Sequence, residues 1–215
     1  MWRGSILGIL VLLLWAATPT DMAGQTLKLG VQGNYSISQS LIGSYTSFKP
    51  GEITSVPAGS IGMSGFIAYR FHDRWSLAAE PGINSAESLI RAENRMDVLL
   101  TENRLSLPLM AKYSLSDRLS ASVGFAAAFL VGKRETVHSE QALTGSNYRD
   151  FTLSVAGGLS LQIAPTAALG MRYQRGVTNS YDISIPRPDT GDFEKMSTRQ
   201  HQLQFFVRFF ILAEK

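Results

Sequence analysis

The sequence predicts an all-β fold: an eight-stranded antiparallel up-and-down transmembrane β-barrel with short periplasmic turns and four long extracellular loops. Three observations carry that prediction. A two-residue hydrophobic period recurs in eight segments, the connections between them alternate between short and long, and strand charges fall almost entirely on one parity.

The first 24 residues stand apart. Met1, Trp2 and Arg3 make a short positive start, Ile6 to Ala17 an apolar core, and Thr18 to Gly24 a small, polar exit. That is the three-part layout of a secretory signal, and its apolar run is shorter than the roughly 20 residues a membrane helix needs. The expected division is therefore a signal peptide over 1–24, cleaved after Ala23 or Gly24, and a barrel domain over 25–215.

The first strand, Leu27 to Ser38, sets Leu27, Leu29, Val31, Gly33, Tyr35 and Ile37 against Lys28, Gly30, Gln32, Asn34, Ser36 and Ser38. Successive side chains of a strand point to opposite sides, so this spacing makes one apolar and one polar face. The second, Ser60 to Phe71, sets Ile61, Met63, Ile67, Tyr69 and Phe71 against Ser60, Gly62, Ser64 and Arg70. The third, Trp75 to Asn84, sets Trp75, Leu77, Ala79 and Ile83 against Ser76, Glu80 and Asn84. Glu102 to Tyr113, Leu119 to Val131, Asp150 to Ile163, Ala167 to Val177 and His201 to Leu212 bring the number to eight. Each is near the roughly 9–11 residues a tilted strand needs to cross a bilayer. Pro108 lacks a ladder donor, so a bulge or kink is expected there.

Three connections are short: His72 to Arg74, Ser114 to Arg118, and Ala164 to Thr166. Their Asp, Ser and Pro residues suit tight hairpins. The other four, Gln39 to Gly59, Ser85 to Thr101, Gly132 to Arg149 and Thr178 to Gln200, are long and polar. This alternation is the layout of an outer-membrane barrel, with both termini at the short-turn end.

Alternation alone does not say which face is outside, because a soluble eight-stranded ligand carrier has the same period with its apolar face inward. Charge and size favour the membrane. The apolar parity carries Arg175 near a long-loop end, whereas the polar parity carries Lys28, Arg70, Glu80, Glu102, Arg104, Lys112, Arg172 and Arg208. Gly30, Gly62, Gly82, Gly124, Gly158 and Gly170 suit a cramped interior. Tyr69, Phe71, Trp75 and Tyr113 lie on the apolar parity beside the short turns, where an inner aromatic girdle belongs.

Composition narrows the function. The 215 residues are 45% hydrophobic and 17% charged, with 3 histidines, no cysteine and a net charge of +3. Without cysteine there is no disulfide scaffold, thiolate metal site, cysteine nucleophile or lipidated-cysteine anchor. The Lys and Arg residues are not clustered, which argues against a nucleic-acid partner. His72, His138 and His201 show no metal-ligand spacing, so no metal or cofactor is expected. A deacylase of the outer membrane needs a serine activated by a nearby base, but His201 is followed by Gln202 and Leu203, and no catalytic residue is assigned.

The inward charges, six basic and two acidic, predict pairing of Glu80 and Glu102 with Arg70, Arg104, Lys112 or Arg172. A network of this kind closes the lumen; an unpaired basic excess would instead give a small anion-preferring pore. Tyr45, Phe48, Tyr148, Tyr181 and Phe193 in the long loops are candidates for contact with a partner or for capping the barrel mouth.

Three motifs, Glu80-Pro81-Gly82-Ile83, Arg104-Leu105-Ser106-Leu107-Pro108-Leu109-Met110-Ala111-Lys112-Tyr113, and the glycine-led run Gly124 to Gly132, carry a resemblance. They resemble the PorT-like outer-membrane β-barrel family, small barrels related in architecture to the OmpX and OmpW types. The resemblance implies a barrel set in outer-membrane lipid and, for some members, association with protein secretion across that membrane. The combined expectation is a monomeric envelope component after export, with envelope or secretion-complex proteins as partners through its long loops.

Overall fold

The computed structural model describes residues 26–42, 53–92, 96–137, 147–186 and 193–213. In chain order the strands are β1 (Thr26–Ile42), β2 (Ile53–Arg70), β3 (Trp75–Ala79), β4 (Gly82–Ala92), β5 (Met96–Ser114), β6 (Leu119–Val137), β7 (Asn147–Tyr148), β8 (Phe151–Ala164), β9 (Ala167–Gly176), β10 (Tyr181–Pro186) and β11 (Phe193–Ala213). β3 and β4 are two parts of one wall strand, so the wall is an antiparallel ring of eight, closed by pairing of β1 with β11. Tyr35, for example, lies opposite both Ile61 and Phe205.

The apolar parity faces outward. Val31, Ile61, Leu105, Phe125, Leu159, Met171 and Phe209 are exposed, Met63 as much as 74%, while Gln32, Asn34, Ser36 and Ser38 are buried in the lumen. An exposed apolar belt around a polar interior is the reverse of a soluble ligand carrier and fits lipid on the outside.

The strands run further than the apolar alternation does. β1 and β2 extend into the expected first loop, β4 and β5 pair from Ala92 and Met96 downward, and β6 continues to Val137. The expected fourth loop is largely the β10–β11 hairpin, with Tyr181 paired to Thr198 and Pro186 to Phe193. Long polar loops are thus partly strand. Above the lipid no apolar face is demanded, so the period fades while the backbone ladder continues.

The expected bulge at Pro108 is absent. Pro108 pairs in register with Ala126, and the shift lies between Asn103 and Arg104 instead. Pro108 acts on its other neighbour: Glu80 N–H donates to Pro108 O at 3.0 Å, but the proline has no N–H to return. Gly65 N–H likewise donates to Pro81 O at 2.8 Å without a reciprocal bond. Two adjacent one-sided pairs separate β3 from β4, yet Ile67–Ala79 and Ser64–Gly82 keep one register across the gap.

Candidate functional site

Eight strands leave a lumen narrow enough for side chains from opposite walls to meet. At mid-height Glu80 projects inward from the gap between β3 and β4. Arg172 of β9 places Nη2 2.5 Å from Glu80 Oε2, and Arg208 of β11 places Nη2 2.8 Å from Oε1. Gln32 of β1 accepts from Arg208 Nε and Nη2 at 3.1 and 2.6 Å, and donates to Glu80 at 3.4 Å. The Arg208 guanidinium packs against two rings, its Cζ 3.7 Å from the Phe66 ring centre and 4.9 Å from that of Phe206. Gly170 is required beside it, since a Cβ there would sit 2.2 Å from the Phe206 ring. Glu80, Arg172 and Arg208 are 2, 3 and 1% exposed, so almost none of the layer meets solvent.

Towards the long-hairpin end, Glu102 pairs with Arg104 two residues along its own strand, Oε2 to Nε at 2.6 Å. Arg104 also donates to the carbonyls of Arg149 and Ser180 at 3.1 and 3.4 Å. Above them Ile90, Leu100, Tyr148, Tyr181, Ile183 and Met196 form a buried cluster. Tyr148 and Tyr181 stand in β7 and β10 rather than in loops, with rings 5.6 Å apart, and the Tyr181 hydroxyl bonds Ser40. Asp182 is buried beside them and takes Ser197 Oγ at 2.7 Å, Arg149 at 2.9 Å and Lys195 at 3.1 Å. Burial pushes the Asp182 carboxyl up, but the Ser197 bond and the two cations outweigh it and hold it below the usual carboxylate value. Tyr45 and Phe48 lie outside the described residues; Phe193 opens β11 opposite Pro186.

At the short-turn end stand the other inward cations. Lys112 Nζ lies 5.1 Å from the Phe66 ring centre and Lys28 Nζ 5.4 Å from that of Phe210. Among the described residues no ion pair joins Lys28, Lys112 or Arg70 to a carboxylate. Around the outside of this end, Trp75 and Tyr113 are cross-strand partners with rings 4.9 Å apart, and Arg74 donates to the Tyr113 hydroxyl at 3.3 Å. Phe71 is exposed beside them, and Tyr69 is half-buried.

Cavities lie on either side of the mid-height layer, about 80 Å³ at the short-turn end and about 60 Å³ at the other. They share no lining residue. Among the described residues no group of three or more His, Asp or Glu could hold a metal ion. The sequence did not single out Gln32, Phe66, Phe206 or Asp182. Gln32 was legible as a polar-parity residue, but two phenylalanines on that parity break the rule and show their purpose only as platforms for Arg208.

A closed ring of strands with an apolar outer belt and a polar, charged interior defines a small integral outer-membrane barrel. The chain belongs to the outer membrane protein beta-barrel domain family, whose profile matches residues 20–182. Among solved structures it is similar to the outer membrane protein OprG from Pseudomonas aeruginosa, with 13% identity, a TM-score of 0.53, and coverage of 89% of this chain and 97% of that one. Neisserial surface protein A is similar too, with 13% identity, a TM-score of 0.50, and coverage of 84% and 96%. A comparison with curated protein sequences finds no match.

Proposed function

We propose that this outer-membrane barrel is closed to ions and serves as a structural or partner-binding component of the envelope, exported by a signal over 1–24 that is then removed. The observation that carries the reading is the layer of Glu80, Arg172, Arg208 and Gln32 against Phe66 and Phe206, which lies between two cavities with no common wall. A buried carboxylate shared by two guanidiniums holds its partners in place, because freeing either charge in a low-dielectric interior is costly. Function then falls to the hairpins that rise above the lipid, a rigid wall presenting variable segments. Resemblance of strands β3 to β6 to the PorT-like family supports an association with secretion machinery as the finer reading.

The surplus of inward cations supports a second reading, a small anion-preferring pore, since a basic lumen concentrates anions and repels cations. One measurement decides. Purified barrel in a planar bilayer should give no steady conductance, and a stable anion-selective current in the unaltered protein would overturn the closed-lumen reading.

A further inference from the structure

The cavity at the short-turn end is lined by five basic side chains, Lys28, Arg70, Lys112, Arg118 and Arg208, and one acid, Asp117. We infer that this cavity is a dead-ended binding cup for a phosphate group reaching it from the aqueous phase.

Three observations support it. The first is the charge balance: Glu80, the carboxylate next to the cavity on the lumen side, is already engaged by both Arg172 and Arg208, and among the described residues no ion pair reaches Lys28, Lys112 or Arg70. Five cations gathered in a confined space with Asp117 as the one acid in its lining repel one another and lose hydration, so an anion that joins them gains on both counts. Cation–π contacts of Lys112 with Phe66 and of Lys28 with Phe210 offset only part of that cost. The second is a buried donor left unpaired beside the cavity: Arg208 lines it and is 1% exposed, and among the described residues its Nη1 has no hydrogen-bond partner. The third is room. A cavity of about 80 Å³ exceeds several-fold the roughly 10–15 Å³ that one water takes on the same measure.

The place of the cavity selects the source of the phosphate. Its walls are inward side chains and the turn Ser114 to Leu119, so it opens at the end of the ring and not through the lipid-facing wall. A mouth at that end meets the aqueous phase, so a free phosphate ion or the terminal phosphate of a soluble ester is the expected ligand rather than the headgroup of a lipid beside the barrel. The cup needs no through-path, so it stands whether or not the barrel conducts.

The test uses the full barrel in a sugar-headed, phosphate-free detergent, titrated calorimetrically with inorganic phosphate, with glycerol phosphate and with chloride at equal ionic strength. Phosphate should bind and raise the unfolding temperature, as any ligand specific for the folded state must, while chloride should do neither. Lys112→Gln should weaken phosphate at least about 10-fold, near 1.4 kcal/mol, yet fold as well as the parent because it removes a repelling charge. Arg70→Gln, at the rim, should weaken it less. Equal binding of glycerol phosphate would support the cup with a phosphate ester as its ligand, and its failure would support it with the free ion. Absence of phosphate binding to the parent, or affinity unchanged in both variants, would overturn the proposal.

Discussion

At Glu80 one carboxylate meets two guanidiniums inside the barrel. Removing its charge leaves Arg172 and Arg208 buried without a counter-charge, a change that costs about 3–5 kcal/mol where it has been measured in other proteins. Glu80→Gln should therefore lower the urea midpoint of the barrel in lipid vesicles markedly. Replacing Glu80, Arg172 and Arg208 together by apolar residues of similar volume should recover most of the loss, because no orphaned charge remains. Recovery is the informative half: if the triple variant is as unstable as the single one, the layer matters for shape and not for charge. Asp182 differs, because its cations Arg149 and Lys195 are 51 and 61% exposed and screened by salt. Its folded carboxyl titrates below the ordinary value. The stabilisation is thus complete above about pH 4, the unfolded aspartate value, and is lost as pH falls through the lower folded one. Protection of β10 and β11 from amide exchange should fall as pH drops below about 4 in the parent. In Asp182→Asn it should be weaker throughout and nearly flat over that range.

The unit of the wall is the strand, and its two parities obey different rules. Val155 is exposed on the outer face opposite Phe125, whereas Ser154, its neighbour in the chain, lines the cavity at the long-hairpin end. Val155→Arg should cost about 2–4 kcal/mol if lipid covers this height, while Ser154→Asn should be mild. The difference is readable as the fraction of unboiled protein that runs as the heat-modifiable folded band on a gel. These faces were legible in the sequence because lipid on one side and packed polar groups on the other impose a strict period over the whole crossing. The ends of the strands were not. Beyond Ser38 or before Glu102 the wall stands in water on its outer side, and Ile90 and Leu100 face inward among residues whose composition reads as loop. Pro108 shows another limit. Its missing donor was evident, but the consequence fell on β3, because a strand has two neighbours and the sequence does not say which one loses the bond. The pairing of Glu80 with Arg208 was equally hidden, since residues 128 positions apart are brought together only by closure.

Closure is also where the whole molecule acts as one object. β1 is held on one side by β2 and on the other by β11, from Lys28 opposite Ala213 to Ile42 opposite Thr198. The fold should therefore be all or none. A chain ending before Phe193 should show no heat-modifiable folded band and should be degraded in the envelope, whereas removing three residues from a hairpin tip should leave the band intact. The same seam sets a timetable. The first strand made is the one that must wait for the last, so for the whole period of synthesis and export β1 has half its backbone groups without their final partner. Local hairpins offer no early refuge from that delay, because an unpaired edge invites pairing with other chains and long-range contacts come late. A protein built this way depends on a custodian in transit, some factor that keeps the strands apart in the aqueous compartment and releases them only when the complete set has arrived at the membrane.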